Sequence, residues 1–274
     1  MNKQIQAIFF TALCFLAPCN SAAKTIFVFD IHGVLLAEDL GSLVKKRIAA
    51  LQQTTRSIKN TQYFEQLCAL MKLHQPLGAP TSSYSSELYR VPFEVFALFS
   101  GLYNPDSVYT ALRAMLATAK LDDQTLMILT ALVDSIFQHH ERISALTPIP
   151  SGVALLHACH AQPDSEVYIY TNAPAEWITQ YKKLFPDIFG AIDDSHIFSS
   201  GATGILKPSP DVFTFLATAA HCAISDITYI DDSADNCLAA NTAGATALLF
   251  SAPQLTQLGS DVSSKSTTTE KTQE

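Results

Sequence analysis

Basic residues are scarce in this chain of 274 residues: 17 Lys and Arg stand against 25 Asp and Glu, for a net charge of −8. Such a chain has no long-range attraction for a polyphosphate backbone, which argues against a nucleic-acid partner. Charged residues make up only 15% of the chain and apolar ones 48%, a balance that excludes a disordered or collagen-like protein. Long apolar runs are missing as well. The run from Ala7 to Pro18 falls short of the roughly 20 residues that a spanning helix needs. With Lys3 before it and Asn20-Ser21-Ala22-Ala23 after it, it has the layout of a cleavable signal over residues 1–23. The protein is therefore expected to be exported, periplasmic or secreted, with no stable membrane span after processing. An uncleaved anchor and a lipoprotein box at Leu16-Ala17-Pro18-Cys19 are the alternatives, and Pro18 before the cysteine fits the box poorly. Four cysteines follow the signal, Cys68, Cys159, Cys222 and Cys237. None forms a CxxC or a metal-type spacing, and both two disulfides and buried thiols fit their number.

What is present is an alternation of short apolar runs with helical patterns. Thr25 to Asp30 is a β-branched and aromatic run of the kind buried on both faces of a parallel sheet. Val167–Tyr170, Ile197–Ser199, Ile227–Ile230 and Thr246–Phe250 repeat the type. Helical patterns lie at Gly152–Ala161, Ala175–Phe185, Pro210–His221 and Ala234–Ala243, so right-handed crossovers and a Rossmann-like α/β core follow. Between Leu36 and Pro148 strand-like runs are scarce, and helices are expected over Leu43–Ile58, Tyr63–Leu73, Pro92–Tyr103, Ser107–Lys120 and Asp122–Ile143. Pro76–Ser86 reads as a loop. The division is then a core of residues 24–36 and 148–258, an inserted all-helical cap at 37–147, and a Ser/Thr/Lys/Glu-rich disordered tail at 259–274.

In an open parallel sheet the carboxyl ends of neighbouring strands converge on one crevice. Those ends carry Asp30, Thr171 and Asp231-Asp232, and Lys207 is expected to open the helix that follows it. Carboxylates suit a hard divalent ion such as Mg²⁺, while a hydroxyl and an ammonium suit the remaining oxygens of a phosphoryl group. Singly, each residue has an ordinary reading as a turn or cap residue; their order and spacing in one fold argue otherwise.

Phe27-Val-Phe-Asp-Ile-His-Gly-Val-Leu-Leu36, Tyr168-Ile-Tyr-Thr-Asn172, Gly204-Ile-Leu-Lys-Pro-Ser-Pro210 and Tyr229-Ile-Asp-Asp-Ser-Ala-Asp-Asn236 resemble the four motifs of the haloacid dehalogenase-like (HAD) hydrolase superfamily. The insert stands where that family has its helical C1 cap. Finer features resemble the subgroup of bacterial sugar-phosphate phosphatases and the N-terminal phosphatase domain of soluble epoxide hydrolases. The resemblance implies an Mg²⁺-dependent phosphomonoesterase acting on a small phosphorylated substrate. Asp30 would be the nucleophile. Asp30, the His32 carbonyl, Asp231 and Asp232 would form the metal site, with Asp232 binding through water or orienting Lys207. Thr171, the Asn172 N–H and Lys207 would bind phosphate, and Gly33 would permit the turn after the nucleophile.

Position 32 departs from the family. An Asp usually stands there to protonate the leaving alcohol and activate water; here it is His32, which also titrates near neutrality. If His32 is the acid it must be cationic, and an acidic optimum follows. The alternatives are a weakened pseudo-phosphatase that binds a phosphorylated ligand or partner, and a dehalogenase-like hydrolase. His139-His140 reads as a solvated face, and His157, His160 and His221 lack a third ligand. Trp177 reads as packing, or as part of the cap interface; Phe93, Phe96 and Phe99 read as cap core.

Overall fold

Residues Thr25–Phe29 (β1) are buried from Ile26 onward, as a strand covered on both faces must be. The computed structural model describes residues 24–38, 43, 60–80, 84–138, 142–143 and 145–251. The signal expected over 1–23, nearly all of the helix expected over Leu43–Ile58, the His139-His140 pair and the tail from 259 lie outside the described residues. Strand β1 pairs in parallel with Ser165–Thr171 (β4) on one side and Ile227–Asp231 (β6) on the other. Ile197–Ser199 (β5) and Thr246–Leu249 (β7) complete a parallel sheet of order β5-β4-β1-β6-β7. The fold is thus the expected α/β one, with β1 at its centre.

The period of two along each strand divides the core. Phe27, Phe29, Val167, Ile169 and Ile230 face one way, against Trp177 and Tyr181. Ile26, Val28, Tyr168, Tyr170 and Tyr229 face the other, against Val212, Phe213 and Leu216. A two-residue antiparallel ladder, Leu36–Ala37 (β2) with Thr147–Pro148 (β3), brings the two ends of the insert side by side.

Within the insert, Asn60–His74 (α1), Ser86–Tyr89 (α2), Phe93–Phe99 (α3), Pro105–Thr118 (α4) and Asp123–Phe137 (α5) are helical. Leu67, Leu112, Leu116, Leu129 and Val133 form its principal core. Phe93 and Phe96 form a smaller one with Leu206, which belongs to the sheet domain. Several ends differ from the sequence expectation. Helix α4 starts at Pro105 because the Asn104 side chain accepts from the Ser107 N–H at 2.8 Å and Pro suits the first turn. Helix α3 stops at Phe99, ahead of Gly101 at φ 72°. Helix α5 ends at Phe137 rather than running to Ile143, as Gln138 turns extended.

In the core, Pro150–His160 (α6), Ala175–Leu184 (α7), Pro186–Phe189 (α8), Ser200–Thr203 (α9), Asp211–Ala219 (α10) and Ala234–Ala243 (α11) connect the strands. Lys207 does not open a helix: it lies in the turn before α10. Cap and core meet where Ser200 Oγ donates to the Phe99 carbonyl at 2.6 Å and accepts from the Ala173 N–H at 3.1 Å. The four described cysteines are free thiols rather than disulfides, Cys159 and Cys237 buried and Cys68 and Cys222 half-buried. No helix among the described residues is long and apolar enough to cross a membrane.

Candidate active site

The central position of β1 places Asp30, one residue past its end, between the ends of β4 and β6. Its N–H bonds the Ile230 carbonyl at 2.9 Å, and its Oδ1 accepts from the Ile31 N–H at 2.7 Å. The chain then turns sharply through Gly33 at φ 78°. A β-carbon there would overlap the Asp232 carboxylate, so both the backbone angle and the neighbour demand glycine.

Lys207 Nζ lies 2.8 Å from Asp30 Oδ2 and 2.8 Å from Asp231 Oδ2. The ammonium that binds the nucleophile is thus anchored by Asp231, not by Asp232 as one sequence alternative had it. Asp231 is fully buried and also accepts from the Tyr229 hydroxyl at 2.5 Å, the Ser233 N–H at 2.8 Å and Asn236 Nδ2 at 3.0 Å. Asp232 is exposed and borders Gly33. Carboxylate oxygens of Asp30, Asp231 and Asp232 lie within 4.8 Å of one another, and this is the one such acidic, His or Cys group found among the described residues.

Burial dominates the titration of Asp30, raising its pKa to about 6 against the pull of Lys207, with Asp231 pushing the same way as burial. Burial would raise Asp231 too, but Lys207 and the bonds from Tyr229 and Ser233 outweigh it and hold the group below its ordinary value. For Lys207 burial works against the charge, and the two carboxylates more than compensate. Asp232 is raised by burial and by Asp231.

Thr171 ends β4. Its hydroxyl is buried and has no partner. The Asn172 side chain is fully engaged in holding the lysine turn: Nδ2 donates to the Lys207 carbonyl and Oδ1 accepts from the Lys207 N–H, both at 3.0 Å. Only its backbone is left for a ligand.

His32 Nε2 lies 2.9 Å from the Tyr181 hydroxyl, while Nδ1 is buried without a hydrogen-bond partner, 4.0 Å from Glu38 Oε2. Burial, then Arg142 and Lys207, lower its pKa to about 3. The sequence left the direction open, with the aspartates raising the value and a metal lowering it; burial and the two cations turn it downward, which favours the neutral ring. The Tyr181 hydroxyl, its own ionisation pushed up by burial, has no other partner among the described residues. If it donates to Nε2, the ring proton is on Nδ1.

A cavity of about 290 Å³ opens over these groups, lined by Asp30, His32, Thr171, Asn172 and Lys207 from the core and by Tyr89, Val95 and Phe99 from the insert. Sequence reasoning missed Glu38, Arg142 and Tyr181. Arg142 makes a two-pronged bond to Glu38, Nη2 to Oε2 at 2.8 Å and Nε to Oε1, and its guanidinium lies 5.0 Å from the centre of the Trp177 ring. Trp177 packs edge-on to Phe99 across the cap interface. Phe93 and Phe96 pack within the insert and against Leu206 of the core, and Phe99 borders the cavity. His157, His160 and His221 are exposed and belong to no such group.

A family model described as haloacid dehalogenase-like hydrolase matches residues 24–244. The chain belongs to this family of hydrolases. Among solved structures it is similar to the HAD family enzyme BT-2542 from Bacteroides thetaiotaomicron, at 17% identity and a TM-score of 0.55 over 85% of this chain and 96% of that one. The same enzyme in complex with magnesium and inorganic phosphate matches at 16% identity, with a TM-score of 0.50 and the same coverage. The L-2-haloacid dehalogenase from Xanthobacter autotrophicus with chloropropionic acid covalently bound matches at 15% identity, with a TM-score of 0.47 over 82% and 76% of the two chains.

Proposed function

We propose that the chain is an exported, Mg²⁺-dependent phosphomonoesterase working through an aspartyl-phosphate on Asp30. The observation that carries this reading is the buried, unpartnered Thr171 hydroxyl on the same cavity as Asp30 and Lys207. A buried donor without a partner is costly, and a phosphoryl oxygen would satisfy it. The charge balance supports the metal. Three carboxylates face one ammonium, and a divalent cation would neutralise the two charges left over. The likeness to BT-2542, which has been crystallised with magnesium and inorganic phosphate, supports the same direction. Export rests on residues 1–23 of the sequence.

In this reading Asp30, Asp231, Asp232 and the His32 carbonyl would hold Mg²⁺, which when bound offsets the repulsion between a carboxylate nucleophile and a phosphate. An Asp30 oxygen bonds to phosphorus as the ester P–O bond breaks. Thr171 Oγ1, the Asn172 N–H and Lys207 Nζ hold the phosphoryl oxygens. Neutral His32 offers its Nδ1–H to the departing oxygen as a hydrogen bond, and the alkoxide takes its proton from solvent. Water then attacks phosphorus and frees Asp30. A neutral ring is a weak acid, so turnover is slow and the acidic optimum expected of an imidazolium does not arise. His32→Asp should raise turnover by roughly 10²-fold, the lower end of the general acid–base range.

The test is hydrolysis of an aryl phosphate with and without Mg²⁺, with Asp30→Asn as control. Turnover that needs both the metal and Asp30 supports the reading. A wild type inactive at every pH, with activity appearing in His32→Asp, would make the native chain a phosphoryl-binding module instead.

A further inference from the structure

Resting on that reading, the leaving-group end of the cavity carries information about the substrate. Beyond the phosphoryl-binding groups its wall is formed by Tyr89, Val91, Val95 and Phe99 of the insert and Leu206 of the core. Apart from the Tyr89 hydroxyl and two buried atoms, the polar side chains among the described lining residues are already bonded within the protein. Glu38 and Arg142 satisfy one another in a two-pronged pair. Asn172 bonds the Lys207 backbone in both directions. Asn236 gives its amide to Asp231, and His32 Nε2 is taken by Tyr181. Two lining residues keep an unpartnered buried atom, Thr171 Oγ1 and His32 Nδ1. The first serves the phosphoryl group in the proposed chemistry, which leaves His32 Nδ1, the Tyr89 hydroxyl and Asn236 Oδ1 for the ester oxygen and neighbouring hydroxyls.

We infer that the substrate is the monophosphate of a compact, largely apolar alcohol with few further hydroxyls, and not a sugar phosphate. A hexose brings four or so more hydroxyls, each of which needs a partner when it leaves water. Among the described lining residues the remaining partners are too few for them unless the Glu38–Arg142 pair were broken. At about 290 Å³ the cavity stands at the bottom of the range of small-molecule sites, roughly 300–1,000 Å³, which suits a small leaving group. A cyclic or aromatic alcohol fits the volume and the wall, since Phe99 and Tyr89 present ring surface to it.

Cyclohexylmethyl phosphate and glucose 6-phosphate separate shape from polarity. Both lose a primary alkoxide from a six-membered ring, and they differ chiefly in hydroxyls. With Mg²⁺ present, kcat/KM for cyclohexylmethyl phosphate should exceed that for glucose 6-phosphate by at least about tenfold, a modest figure because an apolar pocket rejects an added hydroxyl by only about 10². Equal values, or a preference for the sugar, would overturn the inference while leaving the phosphatase reading intact. Failure to hydrolyse either ester or acetyl phosphate would instead remove the phosphatase reading, and the inference with it. Val95→Gln, which puts an amide on the wall, should shrink the ratio at least threefold. Val91→Thr, nearly isosteric, should move it the same way in a chain whose packing is undisturbed. A ratio unchanged in both folded variants contradicts the assignment of the wall.

Discussion

Lys207 is held between two carboxylates at equal distances, and that arrangement governs the residues around it. Its charge keeps Asp231 ionised, restrains the effect of burial on Asp30, and adds to burial and Arg142 in favouring the neutral form of His32. A histidine whose pKa falls from 6.5 to about 3 on folding binds fewer protons in the native state than in the unfolded one. Its contribution to stability is therefore complete above pH 6.5 and is lost as pH falls toward 3, at about 1.4 kcal/mol per unit. Asp30 works the other way, because a carboxyl raised to about 6 gains stability as pH falls through that value. A comparison with His32→Asn, in chelator and by urea unfolding, isolates the histidine because the Asp30 term is common to both. The stability of wild type relative to the variant should fall steadily from pH 6.5 to pH 4.5. A difference that stays flat over that range would contradict the buried neutral ring. Tyr181→Phe tests the ring's tautomer: without the donor to Nε2 the proton is free to shift, and turnover should fall about tenfold with KM little changed. Equal kcat in the two proteins would show that Tyr181 does not orient the ring.

Among the elements, helix α6 approaches the turn after β1 so closely that a β-carbon on Gly152 would collide with the Val34 carbonyl. Backbone meets backbone there, and neither side can yield as a flexible side chain would. Gly152→Ala should therefore destabilise the protein by about 2–3 kcal/mol, the upper part of the roughly 1–3 kcal/mol range for overpacking a core, despite its better helix propensity. Chemical denaturation measures this, and a neutral or stabilising result would contradict the close approach. Strand ends were the most readable feature of the sequence, because β-branched runs followed by Asp30, Thr171 and Asp231 can only be central parallel strands with their chemistry at one edge. Helix ends were less readable. Asn104 and Gly101 set theirs by a cap and a left-handed turn, and the apolar pattern of α5 runs on past the residue where its backbone departs from the helix.

Across the whole molecule, the parts of the site that escaped sequence reasoning are those assembled from distant segments. Arg142 reaches Glu38 across 104 residues, and Tyr181 reaches His32 across 149. Neither pair has a local spacing that marks it, whereas the motif residues announce themselves by position after a strand. The cysteines were undecidable for the same reason, since their partners depend on tertiary distance. Burial pushes Cys159 up to about 12, and burial with Asp231 pushes Cys237 up to about 11, so both should resist alkylation at pH 8 in the native protein. Mass mapping after unfolding without reductant should find all four described cysteines labelled, and a disulfide-linked peptide would contradict the structure. The aspartyl-phosphate is the claim on which the functional account turns. Protein mixed with an aryl phosphate and Mg²⁺, quenched in acid and mapped by mass spectrometry, should carry phosphate on the peptide containing Asp30, and Asp30→Asn should carry none. Phosphate released at the wild-type rate by Asp30→Asn, or covalent phosphate found on another residue, would contradict it.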